Sequence, residues 1–228
     1  MIYTSCIHVY ISRNISLTVF QSLLYTWLQY KRTNRGYKSV HYYCGKKILC
    51  GDCVGEAIQA GLPPFSKCAQ KSSYAQNVSS YAQIDGGPEN LLQVNHLNEI
   101  VSGVPNATFI LTFRNITNWY MSMTRWHGQN DDNNMRKRFE IANITGLPGG
   151  VGRNVSEFSS FYCEYVKRVR KEVAKYPERH TLIEIDIEDP MVGWQMEEVF
   201  GTNHTCWGKQ NVARHNDTVS EEELQRRY

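Results

Sequence analysis

The chain has 228 residues, 25 Lys and Arg against 22 Asp and Glu, a net charge of +3 and 41% hydrophobic residues. That length is one large domain or at most two small ones, enough to bury a core without staples. The near balance of charge argues against an overall field for nucleic acid, and the 21% charged content is too low for a solvated disordered chain. No stretch approaches the ~20 apolar residues of a membrane span, and no residue type recurs at a fixed period.

Ile7-His-Val-Tyr-Ile11 predicts a short buried strand. Residues 16–31 follow with Val19, Phe20, Leu23, Leu24, Trp27 and Leu28 at helical spacing. Tyr37 to Tyr43 reads as a second strand, and 44–80 as loop in which only 54–60 is helical. Tyr81 to Asp85 is a third strand, halted by Gly86-Gly87-Pro88. Residues 91–101 carry helix spacing, and Pro105-Asn106 then turns the chain into Ala107–Phe113, a strand that is nearly all β-branched or apolar. Residues 116–126 are helical, and the polar stretch with Gly146-Leu-Pro-Gly-Gly150 reads as a mobile insertion. Asn154 or Ser156 caps a helix running to about 175, Thr181–Ile187 is the last strand, and Met191–Phe200 is the last helix.

Five strands alternating with helices predict an α/β domain over residues 1–211: a three-layer sandwich with a central parallel sheet of about five strands. Residues 212–228 form a polar, loosely attached tail.

Seven cysteines include the cluster Cys44, Cys50, Cys53 and Cys68. Cys50-Gly-Asp-Cys53 has a spacing shared by zinc knuckles and redox sites. A second close ligand pair for zinc is lacking, and the expected loop setting does not suit redox chemistry, so structural disulfides or plain thiols lead over both. No metal is therefore expected. Asn-x-Ser/Thr occurs at Asn14, Asn77, Asn106, Asn115, Asn143, Asn154, Asn203 and Asn216. Chance gives about two such triplets in a chain of this composition. The excess points to a glycoprotein of the Golgi lumen or secretory pathway, with the cytoplasm as the alternative. No basic-then-apolar leader opens the sequence, so an upstream targeting segment is expected outside it.

In open parallel sheets a ligand sits at the carboxyl ends of the strands. The first strand ends in Ser12-Arg13-Asn14-Ile15-Ser16-Leu17-Thr18 before a helix, a junction where amides, Arg13, Ser16 and Thr18 can meet an anion. The fourth strand ends in Arg114, with Ser122 about two turns into the following helix. An arginine and a hydroxyl converging there suit a phosphate monoester; the alternative is an ion pair at Arg114 and a packing role for Ser122.

The segment Ala107-Thr-Phe-Ile-Leu-Thr-Phe-Arg-Asn-Ile-Thr-Asn-Trp-Tyr-Met-Ser122 resembles the 3′-phosphate-binding segment of sulfotransferases that use 3′-phosphoadenosine 5′-phosphosulfate (PAPS). Arg114 matches that family's arginine and Ser122 its serine, while Ile116 replaces the usual proline. Leu182–Ile187, Phe200-Gly201 and Cys206-Trp207-Gly208 look like the family's last third. The resemblance is specific over 107–126 and diffuse over the rest of 7–211. It departs at the first loop, where Ile15 stands in place of a glycine that lets phosphate approach the backbone.

The resemblance implies a fold like that of P-loop nucleotide hydrolases, and transfer of a sulfuryl group from PAPS to a hydroxyl or amine of a carbohydrate-like acceptor. It implies Arg13, Ser16 and Thr18 on the 5′-phosphosulfate, Arg114 and Ser122 on the 3′-phosphate, and Lys209 closing over the nucleotide. Arg13 would stabilise the transferring group and Asp85 act as general base, with His41 and His127 as other candidates. Lys167, Arg168, Arg170 and Lys171, with Arg136-Lys137-Arg138, form basic stripes that grip an anionic polysaccharide or are solvated helix faces. The alternative function is a catalytically inactive sulfotransferase-like protein that binds glycan or protein. A kinase is disfavoured, because no Gly-x4-Gly-Lys-Ser/Thr loop is present.

Overall fold

The computed structural model describes residues 39–40, 43–45, 48–73, 75, 80–81, 84, 91–125, 135–144, 146–147, 152–201 and 203–206. Two short strands, β1 (Ser39–Val40) and β4 (Ser80–Tyr81), pair in parallel. Between them lie an antiparallel pair, β2 (Tyr43–Gly45) and β3 (Ile48–Leu49), then helices α1 (Cys50–Gln59) and α2 (Ser66–Lys71). Helices α3 (Leu92–Asn95) and α4 (Leu97–Gly103) lead into β5 (Ala107–Phe113). Three helices follow: α5 (Ile116–Arg125), α6 (Met135–Ile141) and α7 (Val155–Val173). Strand β6 (His180–Asp186), α8 (Val192–Phe200) and a 3-10 turn (His204–Cys206) complete the described chain.

Among the described residues the expected central sheet of five parallel strands is not formed. The described strands make three separate two-stranded pieces, and helices dominate between them. The one extended pair is β5 with β6, parallel over seven residues from Ala107 opposite His180 to Phe113 opposite Asp186. The reason lies in composition. A strand inside a parallel sheet is buried on both faces and needs a continuous apolar run. Residues 107–113 supply one, with Phe109, Ile110, Leu111 and Thr112 all fully buried. The expected strand over 37–43 carries Lys38, Ser39 and His41 in its sequence, and its described residues Ser39–Val40 pair with β4 at two positions. The strand expected at 7–11 and the helix at 16–31 lie outside the described residues, as does the tail 212–228.

Parts of two stretches expected as loop belong to the core. Helix α1 starts at Cys50, four residues before the expected helix, and buries Cys50, Cys53, Val54 and Ala57 on one side. Helix α2 is joined to it by the Cys53–Cys68 disulfide. The stretch expected as a mobile insertion contributes Phe139, Ala142, Ile144 and Leu147, all nearly fully buried, to the main core. The single expected helix over 91–101 is two helices meeting at His96, whose φ of −118° breaks the helical path.

The core is the apolar side of α7 against α5 and the β5–β6 pair. Phe158 packs on Trp119 at 4.4 Å between ring centroids and on Tyr120 at 5.7 Å. Asn154 caps α7 as expected, its carboxamide oxygen accepting the Glu157 amide hydrogen at 3.0 Å, while Glu157 accepts the Arg153 amide hydrogen at 2.8 Å.

The start of β6 is tied to the end of α4. His180 Nδ1 accepts the Ala107 amide hydrogen at 3.2 Å, and Nε2 donates to the Val101 carbonyl at 2.9 Å. Arg179 donates to the Ser102 and Val104 carbonyls at 3.1 and 2.7 Å. Together they satisfy carbonyls that the last turn of a helix leaves without intrahelical partners. Gly103 is required here, because a Cβ at this position would lie 2.4 Å from Pro64 Cδ.

Candidate anion site at the end of strand β5

A parallel strand pair feeding a helix presents backbone amides and the positive helix end at its carboxyl edge. Strand β5 ends at Phe113, Arg114 follows, and Asn115 caps α5 by accepting the Asn118 amide hydrogen at 3.0 Å. Arg114 is largely buried, with 26% of its side chain exposed. Its Nε is buried and has no hydrogen-bond acceptor among the described residues. Thr112, two residues earlier and so on the same strand face, is fully buried, and its hydroxyl also lacks a partner among them. Two polar atoms without a hydrogen-bond partner among the described residues, Arg114 Nε and the Thr112 hydroxyl, thus lie two positions apart at one strand end.

A carboxylate stands beside them. Glu188 Oε1 lies 3.6 Å from Arg114 Nε, an ion pair beyond hydrogen-bond range, and Glu188 Oε2 accepts the Asn115 amide hydrogen at 3.0 Å. Asp186 sets this up by accepting the Glu188 amide hydrogen at 2.9 Å, which turns the chain back after β6. The Ile187 amide hydrogen bonds the Phe113 carbonyl at 2.8 Å and extends the strand register to this point. Glu188 therefore occupies the position at the strand–helix junction that an external anion would take.

Of the expected site residues, only Arg114 and Ser122 fall among those described. Ser122 lies on α5 about 9 Å of helical rise beyond Ile116. It is half-buried, and no hydrogen bond or ion pair joins it to Arg114. Arg13, Ser16, Thr18, Asp85 and Lys209 lie outside the described residues, as do His41 and His127. Sequence reasoning missed Glu188 and Thr112. A signal for Glu188 existed, since Asp186-Ile-Glu-Asp-Pro190 places an acidic run at the carboxyl end of the last strand.

The cysteine cluster resolves in favour of disulfides. Cys50-Gly-Asp-Cys53 sits in the first turn of α1, correcting the loop placement. Its two sulfurs are not joined to each other: Cys53 bonds Cys68, and Cys50 is disulfide-bonded as well. Among the described residues no group of three His, Cys, Asp or Glu is placed to hold a metal ion. No described helix is long and apolar enough to cross a membrane.

The basic stripe of α7 is largely engaged within the molecule. Arg170 makes two hydrogen bonds of 2.7 Å to the Glu184 carboxylate, Lys167 pairs with Glu164 at 2.6 Å, and Arg168 donates to the Val94 carbonyl. The chain matches no protein-family model, no curated protein and no solved structure.

Proposed function

We propose that the chain is a PAPS-dependent sulfotransferase-like protein whose Arg114 binds the nucleotide's 3′-phosphate. The observation that carries this reading is Arg114 itself: a guanidinium at the β5–α5 junction, its Nε buried without an acceptor, on the same strand face as the unpartnered Thr112 hydroxyl. A phosphate taking the place of the Glu188 carboxylate would meet the Arg114 guanidinium and the Asn115 amide at the start of α5. Bound PAPS would supply the sulfuryl group for a hydroxyl or amine of a carbohydrate-like acceptor. In this reading Ser122 contributes a hydroxyl to the same phosphate. Arg13, Ser16 and Thr18 hold the phosphosulfate end, Asp85 takes the acceptor's proton, and Lys209 covers the nucleotide.

A specific observation favours a second reading, a catalytically inactive relative that binds glycan or protein. Arg114 already faces Glu188, and Asp186 and Asp189 flank that carboxylate in sequence, so the strand end is acidic for an anion site. Incubation with PAPS and a panel of oligosaccharide acceptors, following release of 3′-phosphoadenosine 5′-phosphate, separates the two. Acceptor-dependent release supports the transferase. Glycan binding without nucleotide binding or release supports the inactive relative, and absence of nucleotide binding and of release removes the PAPS transferase reading.

A further inference from the structure

We infer that a cavity on the flank of α7 is a binding site for one neutral, hydroxylated six-membered ring, a single pyranose unit of a glycan. The cavity has a volume of about 240 Å³ and is lined by Gly146, Ser160, Phe161, Glu164, Tyr165 and Arg168. That is below the ~300 Å³ at which pockets begin to hold drug-sized molecules, so the occupant is one ring.

The walls define its chemistry. Phe161 and Tyr165 are one helical turn apart and stack nearly parallel, 6.2 Å between centroids and 18° between planes. The Tyr165 ring is fixed because its buried hydroxyl donates to the Gln93 carbonyl at 2.8 Å. Arg168 lies over that ring at 5.2 Å and donates from Nη2 to the Val94 carbonyl. Its Nε is sealed inside the protein, while Nη1 makes no hydrogen bond to a described residue, so the guanidinium brings a donor to this wall. Ser160 donates its hydroxyl hydrogen to the Ser156 carbonyl at 3.0 Å, which leaves its oxygen lone pairs able to accept. Glu164 accepts from Lys167 at 2.6 Å and keeps acceptor capacity on a carboxylate with about four lone-pair sites. Gly146 adopts a φ of +84° that favours glycine and brings its backbone to the cavity beside the Phe161 ring.

Aromatic faces, a guanidinium donor and two acceptors around a small cavity select a ligand with an apolar ring face and hydroxyls at its edge. A cation is opposed by Arg168, an anion by Glu164, and a purely apolar ring would desolvate the Glu164 carboxylate and the Arg168 guanidinium without replacing their water. The site is built from α7 and Gly146, shares no lining residue with the Arg114 site, and does not rest on the sulfuryl-transfer reading.

Saturation-transfer NMR of the full chain with methyl β-glucopyranoside, and separately with methyl β-glucuronide, tests the assignment. The expected result is transfer to the ring C–H protons of the neutral glycoside with affinity in the millimolar range, as befits so small a ligand. Phe161→Leu, which removes the aromatic face but keeps apolar volume, weakens binding about fivefold or more, and the exposed Glu164→Gln weakens it while leaving the melting temperature unchanged. Failure of the neutral glycoside to bind folded protein overturns the proposal. So does binding that Phe161→Leu and Glu164→Gln both leave intact, and binding of the glucuronide alone overturns the neutral-ring assignment.

Discussion

Arg114 and Glu188 face each other across the ends of β5 and β6, with 3.6 Å between Nε and Oε1, while the other Glu188 oxygen holds the Asn115 amide. The carboxylate is at once a partner for the guanidinium and a rival for any anion that approaches it. Glu188→Gln removes the rival charge and keeps an oxygen for the Asn115 amide. Pairs this exposed contribute roughly 0–1 kcal/mol, so the variant is expected to bind 3′-phosphoadenosine 5′-phosphate about two- to fivefold more tightly. Weaker binding in a folded variant would show that Glu188 positions Arg114 instead of competing for it.

The His180 latch gives the stability of the chain a pH dependence. Burial, reinforced by the positive charge of Arg179, holds its pKa below the ordinary histidine value, so the folded protein keeps the ring neutral with Nδ1 accepting and Nε2 donating. The unfolded chain takes up a proton near pH 6.5 that the folded chain does not. Stability is therefore complete above about pH 6.5 and falls as pH drops through the window below it. Denaturant melts between pH 7.5 and 5 are expected to show this fall, and His180→Gln to flatten it at the cost of lower stability at pH 7.5. An equal slope in the variant assigns the dependence to other groups.

The disulfide between Cys53 and Cys68 closes a loop with a sequence separation of 15. Loop-closure entropy for that length corresponds to about 3 kcal/mol. Replacing both cysteines by alanine is expected to lower unfolding free energy by about 2–4 kcal/mol, read from the denaturant midpoint at constant slope. A loss well under 1 kcal/mol means that the α1–α2 packing holds without the bond.

Much of this geometry was legible where local pattern and burial coincide. The apolar run 107–113 forms β5 at its expected ends, and Asn154 caps α7 through the Glu157 amide. Legibility failed where one rule masked another. Gly51 and Gly55 disfavour a helix, yet Cys50, Cys53, Val54 and Ala57 sit at core-facing spacing and α1 forms because that side is buried. Phe139, Ala142, Ile144 and Leu147 are diluted by polar neighbours in sequence, and only the tertiary core shows them to be one apolar set. The Arg114–Glu188 pair joins residues far apart in the chain, so no local pattern announces it. The expectation of a five-stranded sheet rests on segments such as 37–43 and 81–85, whose polar residues break the continuous apolar run that a strand buried on both faces requires.

The sequons yield a separate test. The five described sequon asparagines, Asn106, Asn115, Asn143, Asn154 and Asn203, are all exposed. Asn106 and Asn143 adopt left-handed backbone, with φ of 47° and 45°, on surface turns. Secretory expression followed by glycopeptide mass spectrometry is expected to find glycans at Asn106, Asn143 or Asn203, and none at Asn115, which adjoins Arg114, or at Asn14. Full occupancy at Asn115 would contradict a nucleotide site at this strand end, and complete absence of glycans would contradict a secretory location.

The most direct measurement is calorimetric titration of the wild-type chain and Arg114→Ala with 3′-phosphoadenosine 5′-phosphate, using adenosine 5′-phosphate as the control. Wild-type binding is expected to require the 3′-phosphate and to weaken roughly ten- to a hundredfold in Arg114→Ala, the worth of a charge-assisted hydrogen bond. Absence of binding to folded wild-type protein, or an affinity that Arg114→Ala leaves unchanged, would contradict it.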